Sequence, residues 1–416
     1  MPTGHPTDRT GPPTWQGTAA RGAGPSRRRV WPAAWPVAAV FTLSNAATPL
    51  YVLWQRDIGF SKGTLTVVFA FYIVGLLGSL LVSGVLSDRL GRKPVLLPAL
   101  ALGLAACALF ATADSVAALI VARLLTGIAV GAAVSAGMAA VADVAGADRR
   151  RLAALLASCA MVLGAGLGPL LAGVLADVAP APARTVFAVE TVILVSAVVT
   201  VLRLPVPRRV TGARGPWARL PRVPREARTL LLTGVAVFGP GITATSFVLS
   251  LGPSLLADVL GTRSGTVAGV TAFVMFLAAT GAQAAVHRLR RATVLAAGAV
   301  ATVAGMGALT VAVHASSAPA LYAAAVLAGA GQGLGQLGGL SLLGHAVPPE
   351  RLAEANAALN AGGYLLAGTL PVAAGYLSDA AGPTTGTTVF AAVLTGLALT
   401  GGVTVAATRR QLARHG

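Results

Sequence analysis

Long apolar runs, separated by short polar segments, are the feature that most limits how this sequence can fold. A helix needs about 20 apolar residues to cross the hydrocarbon core of a bilayer. In that core only helices and closed barrels satisfy every backbone polar group, and no alternating strand pattern is visible here. The sequence therefore predicts an all-α integral membrane protein with twelve transmembrane helices. The predicted spans are 31–54, 64–87, 94–113, 115–141, 152–178, 185–204, 230–256, 266–286, 293–313, 320–344, 352–377 and 385–407.

Composition removes the other broad classes of protein. Charged residues make up 11% of the chain, whereas a soluble domain usually carries about 25%. Both cysteines, Cys107 and Cys159, lie in apolar runs, and the five histidines lie in tails and loops. This spacing indicates neither a disulfide framework nor a metal site. We therefore expect no enzymatic activity, no metal and no cofactor.

The placement of the basic residues predicts the orientation in the membrane. Of the 31 Lys and Arg residues, 26 fall in the two tails and in alternate loops, and four fall in the remaining loops. Cytoplasmic segments carry such an excess, so we expect a multi-pass protein of the cell membrane with both termini in the cytoplasm. The net charge of +18 then faces anionic lipid and not nucleic acid. The preference for Arg over Lys points to a GC-rich bacterial genome, and hence to a bacterial inner membrane.

The longest hydrophilic segment follows the sixth span and divides the chain into two sets of six. Three tripeptides recur in the same order with offsets of 200 to 203 residues; they begin at Arg151 and Arg351, at Leu175 and Leu377, and at Val186 and Val389. Six spans separate the copies, so both have the same orientation. Parallel repeats of this kind form two bundles with a site between them near the midplane.

The predicted organisation follows from this division. It comprises a disordered basic cytoplasmic tail at 1–30, an N-terminal six-helix bundle at 31–204, a basic cytoplasmic linker at 205–228, a C-terminal six-helix bundle at 229–408 and a cytoplasmic tail at 409–416.

The segment between the second and third spans carries the most specific motif. It reads Gly84-Val-Leu-Ser-Asp88-Arg89-Leu-Gly91-Arg92-Lys93 and resembles the G-x-L-x-D-R-x-G-R-K signature of the major facilitator superfamily. Gly84 permits close packing, Gly91 permits a tight turn, and the Asp88 carboxylate can face the positive N-terminus of another helix. The resemblance implies that this segment, with Asp88 at its centre, is a conformational latch that holds the cytoplasmic side shut in the outward-facing state. A simple basic loop is the alternative.

Two charged residues lie inside predicted spans. Arg123 lies in the fourth span, where burying an arginine costs at least ~2.5 kcal/mol. Its surroundings resemble the family's fourth-helix motif, with Thr126 in place of the usual Gln, and the resemblance implies a part in proton coupling. Snorkelling to the outer interface is the alternative. Glu190 is the one acid well inside a run; it either pairs or shares a proton pathway with Arg123, or has a structural role.

The fifth span contains a series of small residues around a proline. Gly164, Gly168, Pro169 and Gly173 resemble the G-x(3)-G-P-x(2)-G-G motif that is associated with exporters of the superfamily, with Ala172 replacing one glycine. The proline removes an internal hydrogen bond, and the glycines let another helix approach. The resemblance implies a gating helix and favours efflux, whereas a generic packing face is the alternative.

Uncharged polar residues in the spans are candidates for a substrate path. In lipid such groups need a protein or water partner, so they either line a cavity or bond helix to helix. Because most of the cavity would be apolar, amphiphilic or lipophilic substrates are expected. The candidates are Asn45, Tyr72, Gln332, Gln336, Asn356, Asn360 and Tyr364.

Together these features resemble drug:proton antiporters of the major facilitator superfamily. The resemblance implies rocking of two bundles around a central site and proton-coupled export of small organic molecules by a monomer, with the proton gradient as energy source. An uptake permease for a sugar, organic acid or other metabolite on the same fold remains open. A membrane receptor without flux and an integral-membrane enzyme are remoter alternatives.

Overall fold

Twelve long helices account for almost all of the residues that the structure describes. The structure is a computed structural model that describes Met1 and residues 27–146, 149–204, 224–286 and 288–408. Most of the predicted tail 1–30, most of the linker 205–228 and the whole of the tail 409–416 lie outside these residues, so these boundaries remain predictions. The helices are α1 (Val30–Gly59), α2 (Lys62–Leu90), α3 (Lys93–Ala111), α4 (Val116–Ala145), α5 (Arg150–Val178), α6 (Pro182–Arg203), α7 (Arg228–Leu260), α8 (Gly265–Ala285), α9 (Arg291–His314), α10 (Ala318–Ala346), α11 (Pro349–Ala381) and α12 (Pro383–Ala407).

The predicted all-α membrane fold is confirmed. Among the described residues, eleven helices are long and apolar enough to cross a bilayer. The remaining one, α10, has 29 residues, but its many glycines and two glutamines lower its hydropathy. Large apolar side chains such as Leu155, Val192 and Leu232 are exposed on the outside of the bundles, as expected for a surface that contacts lipid.

Two of the helices are irregular. α1 is α-helical to Ala46, tightens into a 3₁₀ turn at Thr48–Leu50 and widens into a π-helical turn at Gln55–Gly59. α4 contains a π-helical turn at Ala133–Gly137. Such turns inside long helices often occur at functional sites.

The two halves repeat the same internal packing. In the first half α1 packs on α5 and α6, α2 on α4, and α3 on α4 and α6. In the second half α7 packs on α11 and α12, α8 on α10, and α9 on α10 and α12. Each helix pair of the second half corresponds to the pair whose helix numbers are lower by six in the first half. The packing therefore confirms two parallel-repeat bundles.

Glycines bring α2 and α4 into backbone contact. A Cβ atom on Gly75 would collide with the Leu124 carbonyl oxygen, and one on Gly127 would collide with the Tyr72 carbonyl oxygen. The two helices can approach so closely only because both positions lack a side chain. This contact sets the position of Arg123, one turn before Gly127 on α4.

The two bundles meet along two symmetry-related helix pairs, α2 with α11 and α5 with α8. We call the end of the molecule that carries the loop at Arg92 and the loop at Arg290 the basic face. The other end, where α2 and α8 begin and α5 and α11 end, is the opposite face.

Candidate functional site

The predicted latch segment forms an ion-pair cluster at the basic face. Arg92 Nη1 donates to Asp88 Oδ1 at 2.7 Å and to Ser87 Oγ at 2.8 Å, and Arg92 Nε donates to Asp143 Oδ2 at 2.9 Å. Partial burial alone would lower the pKa of Arg92, but its hydrogen bonds to Asp143 and Asp88, together with their charges, outweigh burial and raise this pKa. The cluster ties the end of α2 to α4. Sequence reasoning missed Asp143.

The other residues of the segment fix the α2–α3 turn. Gly91 has φ +96° and ends α2, as the predicted tight turn requires. Lys93 Nζ donates to the Leu202 carbonyl oxygen at 2.8 Å and so caps the end of α6, while Arg89 lies in the last turn of α2. The expected close packing at Gly84 is wrong for this conformation, because a Cβ atom there would meet nothing within 4 Å. The bundles meet nearer the start of α2, where Gly63 lies against Tyr376 and Ile73 against Gly368 of α11.

Arg123 is fully buried, which excludes snorkelling as the explanation for its depth. Its Nη1 donates to the Ser44 carbonyl oxygen of α1 at 2.8 Å. The guanidinium carbon lies 5.1 Å from the ring centre of Tyr51, 5.6 Å from that of Phe69 and 5.8 Å from that of Phe110, so aromatic faces supply part of its stabilisation. Nε and Nη2 have no hydrogen-bond partner among the described residues.

Glu190 lies in the same bundle and is 1% exposed. Its Oε2 accepts a hydrogen bond of 3.0 Å from the Thr42 hydroxyl of α1, while its Oε1 has no described partner. No ion pair joins Glu190 and Arg123 within the described part of the chain, so the pairing that the sequence allowed is not formed in this conformation. Both residues instead contact α1, at positions two residues apart.

The predicted gating helix α5 lies between α1 and the other bundle. Cβ atoms on Gly164 and Gly168 would collide with carbonyl oxygens of α1, at Ala38 and Thr42 respectively. A Cβ atom on Gly173 would collide with the Gly265 carbonyl oxygen at the start of α8. Pro169 lies within α5, and its own carbonyl is packed against α8. The α5 helix therefore contacts both Thr42, which binds Glu190, and the interface with the second bundle.

The predicted path residues are spread over both halves. The Tyr72 carbonyl oxygen is packed against Gly127, one turn from Arg123, and Tyr364 lies on α11 of the other bundle. Asn45 Nδ2 donates to Ser44 Oγ at 3.0 Å, next to the Arg123 contact.

The remaining path candidates belong to the second bundle, and all are half-buried. Asn360 Nδ2 bonds to the Asn356 carbonyl oxygen of its own helix. Asn356 Oδ1 and Gln332 Oε1 have no partner among the described residues, and Gln336 lies one turn after Gln332 on α10. Their roles remain predictions.

Polar contacts between the bundles form a reciprocal pair at the opposite face. At the end of α5, Asp177 Oδ1 accepts from Gly265 N at 2.7 Å, and its Oδ2 accepts from Thr266 N at 2.9 Å and from Ser264 Oγ at 2.6 Å. Near the end of α11, Asp379 accepts from Lys62 N at 3.0 Å and from Gly63 N at 2.8 Å. Each carboxylate thus binds the N-terminus of the second helix of the other bundle, where the helix dipole favours negative charge.

Two further contacts join the bundles at this face. Lys62 Nζ lies 2.7 Å from Asp258 Oδ2, and Ser254 Oγ donates to Gln55 Oε1 at 2.8 Å. The charged residues of these contacts line a surface cavity of about 460 Å³. All hydrogen bonds and ion pairs that join described residues of the two bundles lie here.

Asp177 and Asp379 are not among the functional residues predicted above, although the internal repeat of the sequence points to them. Asp177 and Asp379 end the repeated tripeptides that begin at Leu175 and Leu377. The chain has only 13 acidic residues, so an acid that recurs at the same place in both halves is a candidate functional residue.

A comparison with known families decides the classification. The family model described as Major Facilitator Superfamily matches residues 30–286 and 233–414, which together span both bundles. The chain belongs to the major facilitator superfamily. This membership and the confirmed fold place the chain among the multi-pass membrane proteins of a transporter superfamily.

Individual relatives match over parts of the chain. The 3-(3-hydroxy-phenyl)propionate transporter of Escherichia coli is 38% identical over 24% of this chain and 25% of its own length. The multidrug resistance protein MdtL of E. coli is 26% identical over 52% of this chain and 55% of its own. The efflux pump FUB11 of Gibberella moniliformis is 35% identical over 30% of this chain and 21% of its own. The matched segments thus span between a fifth and about half of the length of these curated relatives.

Solved structures of the superfamily share the fold. A bacterial homolog of the human lysosomal transporter Spinster, in an inward-facing and unoccupied conformation, matches with a TM-score of 0.74 over 95% of this chain and 99% of its own, at 13% identity. A mutant of the nucleoside transporter NupG matches with a TM-score of 0.73 over 90% of this chain and 99% of its own, also at 13% identity.

Proposed function

We propose that this superfamily member is a proton-coupled exporter of small amphiphilic organic molecules. It would lie in the bacterial inner membrane with both termini in the cytoplasm, and it would work as a monomer. The observation that carries the proposal is Glu190, the one buried carboxylate among the described residues. A carboxyl group held in an apolar bundle can exchange a proton when a conformational change alters its surroundings.

The contacts at the opposite face support alternating access. With the basic face in the cytoplasm, Asp177, Asp379 and the Lys62–Asp258 pair close the outer side, so the protein faces inward. The contacts are polar and lie at the surface, so the bundles can separate there at modest cost. Rocking would then bring the vacant Gly84 end of α2 towards α11, where the latch segment around Asp88 would hold the inner side shut.

The α5 helix supports a connection between this motion and Glu190. Gly168 packs on the Thr42 backbone, and the Thr42 hydroxyl binds Glu190. Gly173 packs on the start of α8 in the other bundle. A shift of α5 against α8 would therefore move Thr42 and change the hydrogen bonding of the Glu190 carboxyl group. The same shift would alter the hydrogen bond of Arg123 to the Ser44 carbonyl oxygen, two residues further along α1.

Export is favoured over uptake by the glycine and proline pattern of α5 and by the similarity to MdtL and FUB11. Uptake is the second candidate, because the 3-(3-hydroxy-phenyl)propionate transporter is also similar. The apolar lining expected of the path would suit the body of an amphiphile in either direction.

Proton flux in everted membrane vesicles tests the proposal. A pH-sensitive dye would report loss of the acid interior as lipophilic cations, antibiotics, dyes and organic acids are added. We expect substrate-triggered proton release with the wild type and with Asp114→Asn, a control at an exposed acid between α3 and α4, and no release with Glu190→Gln.

Two results would contradict this expectation. Unchanged proton release with Glu190→Gln would remove this residue from the coupling path. Proton-driven entry of a metabolite into right-side-out vesicles, without release in everted ones, would replace export with uptake.

A further inference from the structure

Arg123 carries an unused pair of parallel donors. Its Nη1 is fixed on the Ser44 carbonyl oxygen, while Nε and Nη2 have no partner among the described residues. Nε and Nη2 are the two nitrogens whose N–H bonds point the same way from one edge of the guanidinium plane. That edge matches the two oxygens of a carboxylate, which binds arginine through two parallel hydrogen bonds.

No carboxylate of the described chain takes this place. Arg123 forms no ion pair there, and Glu190 is held by Thr42 on another part of α1. Phe110, near the guanidinium, stacks on Phe187 of the Glu190 helix with ring centres 4.7 Å apart. A buried permanent cation is tolerated in an apolar bundle only when an anion or oriented dipoles compensate it, and one carbonyl oxygen compensates it only in part.

The groups around the guanidinium indicate the chemistry of the rest of a ligand. The rings of Tyr51, Phe69 and Phe110 lie around it. Gly127, one turn from Arg123, is packed against the Tyr72 backbone of α2, and the next residue of α2, Ile73, lies against Gly368 of α11. Arg123 is therefore separated from the interface of the two bundles by one helix.

We propose that Arg123 binds the carboxylate of the transported molecule, and that the substrates are small organic acids with an apolar or aromatic body. This inference rests on the proposed transport function and names its substrate class. Arg123 is fully buried in the present conformation, so an acid that has entered from the basic face reaches the Nε–Nη2 edge as the bundles rock. The acid then supplies the counter-charge that the described chain lacks.

Matched pairs of probes test the inference on the purified full chain in lipid nanodiscs. Benzoate and octanoate are compared with benzamide and octanamide, which have the same bodies without the charge, and with benzylamine as a cation. Binding is measured as ligand-dependent thermal stabilisation and by calorimetry. We expect the two acids to bind at least 10-fold more tightly than their amides, and benzylamine to bind no better than benzamide.

Two substitutions of Arg123 separate charge from geometry. Arg123→Lys keeps the charge but loses the paired donors, and Arg123→Gln loses both, so we expect each to weaken binding of the acids at least 10-fold without changing the amides. Arg184→Gln, at an exposed arginine near the start of α6, is the matched control and should bind as the wild type does. If Arg123→Gln does not fold, as judged by size-exclusion chromatography, Arg123→Lys alone decides.

Three results overturn the inference: no binding of either acid, equal binding of acids and amides, or unchanged acid binding in Arg123→Lys. The vesicle assay separates these failures from a failure of the transport proposal. Proton-coupled export of neutral or cationic compounds, together with any of the three results, would remove the carboxylate site and leave the exporter in place.

Discussion

Removing the two aspartates at the opposite face should open that face. Asp177 accepts three hydrogen bonds from the start of α8 and Asp379 accepts two from the start of α2. Hydrogen bonds to charged groups are worth about 1.5–3 kcal/mol when buried. Both aspartates are exposed, so we discount each bond to roughly 0.5 kcal/mol.

The resulting shifts are large enough to measure. Asp177→Ala should favour the outward-open state by about 1.5 kcal/mol and Asp379→Ala by about 1 kcal/mol. At 1.4 kcal/mol for each factor of ten, the population ratio changes roughly 10-fold and 5-fold. The sites lie on different helix pairs, so their effects should add and the double variant should shift the ratio roughly 60-fold.

Double electron–electron resonance can read this ratio directly. Spin labels are placed at Thr112 and Ala315, at the ends of α3 and α9 on the opposite face, after Cys159 has been replaced by serine. We expect a longer distance to gain population in each single variant and to dominate in the double variant. Asp57→Asn is the control, because Asp57 lies at the same face but pairs with its neighbour Arg56.

Two outcomes would refute this reasoning. An unchanged distance distribution in the double variant would mean that the aspartates do not hold the face closed. An equal shift with Asp57→Asn would mean that loss of negative charge alone, and not loss of the helix-terminal hydrogen bonds, opens the face.

Three further substitutions test the packing around the site. Gly168→Ala should abolish proton-coupled transport while the protein still reaches the membrane, because its Cβ atom would collide with the Thr42 carbonyl oxygen; normal flux would show that α5 can move away from α1 freely. Asp143→Asn should destabilise the fold by about 1 kcal/mol, seen as a lower Tm, through its weaker bond to Arg92; an unchanged Tm would make that pair irrelevant to stability. Phe187→Ala should cost about 3–5 kcal/mol, because the side chain is fully buried, and a loss below 1 kcal/mol in reversible denaturation would contradict the packing of the aromatic stack.

The sequence predicted the architecture well because the bilayer restricts it so strongly. The length of the apolar runs specified nearly every helix, and the recurring tripeptides specified the parallel repeat. The α10 helix shows where mean hydropathy fails to identify a membrane span. Its glycines allow close contact with α7, α8 and α9, but they also lower the mean hydropathy of the helix. Packing inside a protein and solvation by lipid place different demands on the same residues.

The candidate site was less predictable, because the sequence does not specify which sides of the helices contact each other in each conformation. Gly84 belongs to a motif that implies close packing, yet it has no neighbour while the bundles touch at the other end. Arg123 and Glu190 lie at similar depths in their runs, but Arg123 extends towards Ser44 and Glu190 towards Thr42. Depth along a helix can be counted from a sequence, whereas rotation about its axis depends on packing.

The reciprocal aspartate contacts have the form of a dimer interface inside one chain. Asp177 binds the first two backbone N–H groups of α8, and Asp379 binds the first two of α2; serines cap both helices, Ser264 and Ser61. An isologous interface has this property, since each partner presents the same donor and the same acceptor. Two copies of a single six-helix unit could therefore close on each other through the same two contacts.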